Sequence, residues 1–559
     1  MIRSLSLVTC LVLLSLDGLT SSATPPGGSG TIRDSLPPAV DREHAVQTIT
    51  VRELQNHVQV LADDTFEGRK AGTRGGHVAA GFLRQWMQRS LEPAGEQGFD
   101  QPFGANMRNL LGQIHGTDPE LRHEVILIGA HYDHVGYGSE KNSFGPFGYV
   151  HNGADDNASG TAVLLELMDA MHQMKTPPRR TIVFAFWDGE EDGMLGSRYW
   201  VQNSTIERDR IRLAVNLDMV GRLRSNKMEV IASRSLPGLR RWISNANQTT
   251  RLQLDFKWTI EDNSDHYSFL EQQIPSVMFH TGLHDDYHRP SDDVHLLNVD
   301  GMQQVAQVIF HSLLDVANSQ QLPDFRPDAL HETEQHRQAF EANQIAYPAR
   351  FGISWQEDAS QGAVIQSVDA NSPAHFAGLQ NGDIIQQLDG RDVTDSNWLQ
   401  LELMRATSVR LKISRPVESA WWETNIQLQG RPCMWGMFWR EDSAEPGCVT
   451  VSRILPGSPA DEAGLRIRDR IYQHQGRTFE DGNQLGSWMQ VDEDHELLIE
   501  RSGVLQSVTI RAAAVSPSNS TDSPAIAEPT LPVSIKSVPS RRAEEDSSNS
   551  QLIHSRLPK

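Results

Sequence analysis

Several stretches of this chain carry histidines and carboxylates at spacings that could hold a metal ion. His131-Tyr-Asp133-His134 comes just after the apolar run 125–128, and Asn152-Gly-Ala-Asp155-Asp156-Asn-Ala-Ser159-Gly160 follows it. Three more polar groups each come after an apolar run. Asp188-Gly-Glu190-Glu191-Asp192 follows residues 182–186, and Asp218-Met-Val-Gly221 follows residues 213–217. His280, His284 and Tyr287-His288-Arg-Pro-Ser-Asp292 follow residues 275–279. A mixture of imidazole and carboxylate donors suits Zn²⁺, with Mn²⁺ or Co²⁺ as substitutes, whereas Ca²⁺ and Mg²⁺ take oxygen donors.

The elements that must present these groups can be read from the apolar pattern. An unbroken apolar run suits a parallel strand covered on both faces, and open α/β sheets place ligands beyond the carboxyl ends of such strands. Strands are expected over 124–129, 181–187, 213–217, 228–231 and 275–279, with helices over 159–173, 236–247 and 299–316. Asp155 and Asp156 stand just before the first of these helices, where its start can order the loop. This alternation predicts an α/β fold, a mainly parallel twisted sheet with helices on both faces. Upstream, Leu54, Val58 and Leu61 recur at helical spacing, and Val78, Phe82 and Trp86 mark the apolar face of a second helix. Phe66-Glu-Gly-Arg69 between them reads as a loop.

At 559 residues the chain exceeds what one core holds, so several domains are expected. A formal charge of -22, with no basic cluster beyond pairs such as Arg240-Arg241, argues against a nucleic-acid partner. Residues 1–23 join Arg3, an apolar run over 5–16 too short to span a bilayer, and the small residues Thr20-Ser-Ser-Ala23. That is the form of a signal peptide and implies export to the periplasm or beyond, an uncleaved anchor being the rival reading. Cys10 would leave with the signal. Cys433 and Cys448 remain, either as a disulfide or as two free thiols. Residues 24–39 are Gly-, Ser- and Pro-rich and read as a linker.

On His-x-Asp, Glu-Glu, Asn-Leu-Asp-Met, Tyr-His-Arg-Pro and the Asp-Asp-Asn-Ala-Ser-Gly stretch, residues 45–318 resemble the zinc-dependent co-catalytic exopeptidases. These include secreted bacterial aminopeptidases, glutamate carboxypeptidase and the glutaminyl cyclases. One Glu-Glu pair alone is an ordinary surface feature; five motifs in this order, each behind an expected strand, are specific. The resemblance implies an exopeptidase domain over 40–320 and two zinc ions. His131 and Asp218 would hold one ion, Glu191 and His288 the other, and Asp156 would bridge them, with Asp155 bracing the loop. Adjacent side chains outside regular structure point apart, so Glu190 is left as general base for the attacking water. Asp133 would accept the other imidazole N–H of His131. His134, His151 and Asp192 are read as surroundings of the site. Asp265-His266-Tyr267, His280, His284 and Tyr287 either line the pocket or support the fold. The implied activity is peptide hydrolysis by an aminopeptidase. A carboxypeptidase, a one-zinc cyclase and an inactive receptor or adaptor stay open as alternatives.

Beyond a linker at 321–344, the chain repeats itself. Residues 365–385 match 451–471 in constant register, so that Ser372-Pro-Ala aligns with Ser458-Pro-Ala and Ala377-Gly-Leu379 with Ala463-Gly-Leu465. Both copies, 345–416 and 430–513, resemble PDZ domains of the protease-associated type. The resemblance implies capture of extended peptides at a sheet edge, with Phe351-Gly-Ile353 and Trp435-Gly-Met437 as carboxylate loops. Arg468 and Arg470 replace Gly382 and Ile384 in the second copy, which puts its peptide binding in doubt. Residues 514–559 are Ser- and Pro-rich and weakly apolar, an expected disordered tail.

Overall fold

The structure, a computed structural model, describes residues 39–343, 350–358, 362–416, 420–430 and 432–512. The signal-peptide, amino-terminal linker and tail readings lie outside these residues, apart from Ala39, which opens a helix, Ala39–Val46.

A nine-stranded mixed sheet forms the first domain. Its order is Glu92–Pro93, Met107–Ile114, Thr181–Trp187, Val125–His131, Ile211–Leu217, Ser276–His280, Lys227–Ile231 and Gln253–Lys257, with Asp100–Phe103 also paired to Met107–Ile114. The four strands from Thr181–Trp187 to Ser276–His280 run parallel, and Met107–Ile114 joins them antiparallel. The expected α/β fold is therefore present. Alternation along the Val125–His131 strand shows why its run 125–128 is wholly apolar. Ile126 and Ile128 face a large core shared with helices Gly160–His172 and Val299–Asn318, whereas Val125 and Leu127 face a second core with Trp187, Trp200 and Phe269.

Helix Arg74–Ser90 corrects one expectation. It buries Gly75, Gly76, Ala79, Ala80, Leu83 and Met87, and Val78 is 39% exposed. Phe82 and Trp86 are only partly buried at the edge of the core. Small residues let the first turns of the helix approach their neighbours, so the buried face runs through Gly75, Gly76, Ala79 and Ala80 to Leu83 and Met87 and not through Val78, Phe82 and Trp86.

Arg69 closes the domain at the sheet's carboxyl edge. Its guanidinium is fully buried and donates to the carbonyls of Leu61, Tyr132, Asn152 and Gly153 at 2.6–2.9 Å. One side chain thus ties the loop after His131 to the loop before Asp156.

The two carboxyl-terminal modules are antiparallel sheets, ordered Ile353–Asp358, Gly362–Val368, Ile384–Leu388, Ser408–Arg415, Ala420–Gln427 in the first and Met437–Glu441, Val449–Ile454, Arg470–His474, His495–Arg501, Val504–Ile510 in the second. In both, the glycine of the carboxylate loop has positive φ, +81° at Gly352 and +70° at Gly436. A Cβ there would lie 2.1 Å from the Cβ of Ser372 or Ser458, so the loop closes against the Ser-Pro-Ala turn only with glycine. Cys433 and Cys448 are free thiols in separate clusters.

The second module is docked on the peptidase sheet's far edge. Arg240 grips Glu500 through two hydrogen bonds of 2.8 and 3.1 Å, Arg234 reaches Asp442 at 2.6 Å, and the Leu254 N–H donates to the Ser502 carbonyl. Arg470, one of the departures from the repeat, is buried beside Glu445 at 2.9 Å and reaches Glu341 of the connecting helix Glu334–Glu341 at 3.4 Å.

Two outcomes are expected from these contacts. Arg69→Met should lower the stability of the full chain by about 3–5 kcal/mol in urea unfolding, because four buried carbonyls lose a charged donor. Glu500→Ala should cost about 3 kcal/mol by stranding Arg240, and pairing it with Arg240→Met should recover most of that loss.

Candidate metal centre

Every sequence-derived site residue follows a strand of the parallel core. His131 ends Val125–His131, Glu190 and Glu191 follow Thr181–Trp187, Asp218 follows Ile211–Leu217, and His288 lies in the loop after Ser276–His280. Asp156 comes from an irregular turn, Ala154–Ser159, at the start of helix Gly160–His172.

These side chains converge as two donor sets that share Asp156. His131 Nε2 lies 3.4 Å from Asp156 Oδ1 and 3.4 Å from Asp218 Oδ1. His288 Nε2 lies 3.0 Å from Asp156 Oδ2 and 3.0 Å from Glu191 Oε2. His134, read from sequence as mere surroundings, joins the second set, with Nδ1 2.7 Å from Glu191 Oε1. Within each set the donor atoms lie no more than 4.8 Å apart.

Hydrogen bonds behind the donors hold them in place. Asp292 accepts from the backbone N–H groups of Asp155 and Asp156, and Ser264 donates to Asp218 at 2.6 Å. Asp155 braces the turn, accepting from Gly221 N–H at 2.7 Å and facing His284 Nε2 at 3.1 Å. His284 is thereby a support of the fold. Asp133 has a wider task than the sequence suggested. Its carboxylate accepts from the N–H of Glu190 at 3.1 Å and of Glu191 at 3.4 Å, and its Oδ1 lies 3.7 Å from His131 Nδ1. The backbone carbonyl of Asp133 is nearer that nitrogen, at 3.2 Å.

Charge in the pocket is strongly one-sided. Burial works against a charged His131 and His288, yet the surrounding carboxylates outweigh it, raising His131 well above its ordinary value and His288 to about 11. Glu191 is likewise opposed by burial, and His288 and His134 hold it down at about 2. Glu190 behaves differently, since burial dominates and pushes its carboxyl well up. Burial also raises Asp265 to about 7 and lowers His266 to about 4.

The donors fit zinc. A divalent cation would meet the carboxylates' demand for positive charge and leave the imidazole lone pairs free to coordinate. His288 Nε2 faces two carboxylate oxygens at 3.0 Å without a well-aligned hydrogen bond to either, as expected of a nitrogen directed at a shared ion. Arg69, Ser264 and the place of His134 were missed from sequence. Arg69 and Ser264 belong to no spaced motif, and only the proximity of His134 to His131 hinted at its position.

Residues 109–313 match the model of peptidase family M28, and residues 344–414 and 450–501 match PDZ domain models. Aminopeptidase YwaD of Bacillus subtilis (strain 168) is 28% identical over 210 residues, covering 36% of this chain and 43% of that protein. Leupeptin-inactivating enzyme 1 of Streptomyces exfoliatus is 29% identical over 225 residues, covering 39% and 45%. The chain thus spans less than half the length of these two relatives. Leucine aminopeptidase 1 of Arthroderma otae is 25% identical over 291 residues, covering 49% of this chain and 75% of that protein. Among solved structures, the Legionella pneumophila LapA aminopeptidase superposes with a TM-score of 0.42 at 19% identity, covering 50% of this chain and 76% of that one. The family-model matches show that the chain carries a domain of peptidase family M28, the zinc co-catalytic exopeptidases, followed by two PDZ domains.

Proposed function

We propose that this protein is an exported dizinc aminopeptidase that removes N-terminal residues from peptides, with PDZ modules that recruit substrates or partners. The observation that supports it most is the sharing of Asp156 between two donor sets beside a carboxylate, Glu190, that belongs to neither. In this reading His131, Asp156 and Asp218 would hold one zinc ion, and Asp156, Glu191 and His288 the other. Bound zinc supplies positive charge that lowers the pKa of water and offsets the charge developing on the scissile carbonyl oxygen.

The chain's own residues account for the proton traffic. Glu190 takes a proton from the attacking water and returns it to the amine nitrogen as the C–N bond breaks, and its burial raises its basicity. Asp133 fixes the backbone of Glu190 and Glu191 together, so base and ligand keep their separate directions. The matched relatives include proteins named aminopeptidases, which supports the N-terminal direction of attack. The export reading rests on residues 1–23; among the described residues no helix is long and apolar enough to cross a membrane. Among the described residues, Ile353–Asp358 and Met437–Glu441 are edge strands of their sheets, where a peptide strand could be added, which supports a recruiting role.

A panel of free and N-blocked aminoacyl chromogenic substrates tests the direction: hydrolysis of free N-termini alone is expected, and cleavage of blocked ones counts against an aminopeptidase. Glu190→Gln should keep two zinc ions per chain and lose about 100- to 10,000-fold in kcat, as removal of a general base does. Asp156→Asn should lower the zinc content to one ion or none, read by elemental analysis of the dialysed protein. Retention of both ions would remove Asp156 from the bridging role.

A further inference from the structure

We propose that His134 is a sixth metal ligand, giving the ion beside Glu191 and His288 four protein donors while the ion beside His131 and Asp218 has three. The inference rests on the dizinc reading above and goes beyond its five ligands. Four donor atoms, His134 Nδ1, Asp156 Oδ2, Glu191 and His288 Nε2, gather around one point, two imidazoles and two carboxylates. Such a set matches the four-coordinate preference of zinc.

The geometry around His134 is built to present Nδ1. The side chain is wholly buried, its Nδ1 lies 2.7 Å from Glu191 Oε1 and 3.7 Å from Asp156 Oδ2, and its ring meets that of His288 edge-on at 5.5 Å. Glu191 turns one oxygen to each imidazole, Oε1 to His134 and Oε2 to His288. Behind the ring is Gly153, at φ +53°, where a Cβ would lie 2.5 Å from His134 Cδ2. Only a residue without a side chain lets the imidazole lie back far enough for its Nδ1 edge to face the carboxylates.

Unequal donor counts have a functional consequence. A set closed by four protein ligands grips its ion, whereas a set of three keeps a position open for substrate or water. The two ions should therefore bind in sequence, the first tightly at the His134 side and the second more weakly beside His131.

X-ray absorption on the full-length protein loaded with two zinc ions counts imidazoles directly. Three histidines over two ions give about 1.5 imidazoles per zinc, against about 1 if His134 lies outside the coordination sphere. A value near 1 overturns the proposal. His134→Asn separates ligation from bracing, because the asparagine amide can still donate to Glu191 yet offers zinc no imidazole nitrogen. Titration of the metal-free variant with zinc should show the tighter step weakened beyond the about 10- to 100-fold that loss of an outer hydrogen bond costs, with the weaker step unchanged. Unaltered affinity in the variant also overturns it. A wild-type chain that binds no zinc overturns the dizinc reading as well, whereas two ions with one imidazole each overturn this assignment alone.

Discussion

Mutual repulsion among buried carboxylates is the constraint that shapes this molecule. Asp133, Asp156, Glu190, Glu191, Asp218 and Asp265 share one edge of one sheet, where two like charges 4 Å apart repel by about 4 kcal/mol at the effective dielectric of a protein site. Arg69 relieves part of it, since its buried positive charge acts on Asp156, Asp133 and Glu191 even though its hydrogen bonds go to backbone carbonyls. The rest of the counter-charge must come from protonated histidines or from cations, and paired imidazole and carboxylate donors favour cations. Glu190 joins neither donor set, and burial together with Asp265, Glu191 and Asp218 raises its carboxyl.

A parallel sheet meets the geometric side of this demand. Strands that run the same way end on the same edge, so residues far apart in sequence arrive together without help from long loops. The loops still need fixing. Arg69 joins two of them, Asp133 joins the histidine loop to the Glu190-Glu191 turn, and Asp292 ties the His288 loop to Asp155 and Asp156. Each brace spends a polar group on backbone, which keeps the metal-facing atoms directed without neutralising them.

Of the two PDZ modules, the second joins the peptidase domain through buried ion pairs. The second is anchored through Arg240, Arg234 and Arg470, and the repeat position that differs between copies, Ile384 against Arg470, is part of that anchor. What read in the sequence as a weakened peptide site is, at Arg470, a buried ionic contact with Glu445 and the connecting helix. Gly503 completes the docking, since a Cβ there would lie 2.3 Å from Leu254 Cγ.

The sequence alone located the parallel strands and the polar groups that follow them, because an apolar run followed by a polar group is a local signal that survives folding, whereas the order of those strands across the sheet came from the fold. It also determined the duplication, since two copies can be compared directly. Tertiary structure decided the rest. Val78 turned outward because Gly75, Gly76, Ala79 and Ala80 allowed closer packing. Arg69, Ser264 and the docking of Glu500 on Arg240 left no pattern in the chain, since their partners are backbone carbonyls or side chains tens to hundreds of residues away. His134 was visible only as a neighbour of His131; which way its ring points depends on the backbone of Gly153, a contact that exists only once the two loops are folded against each other.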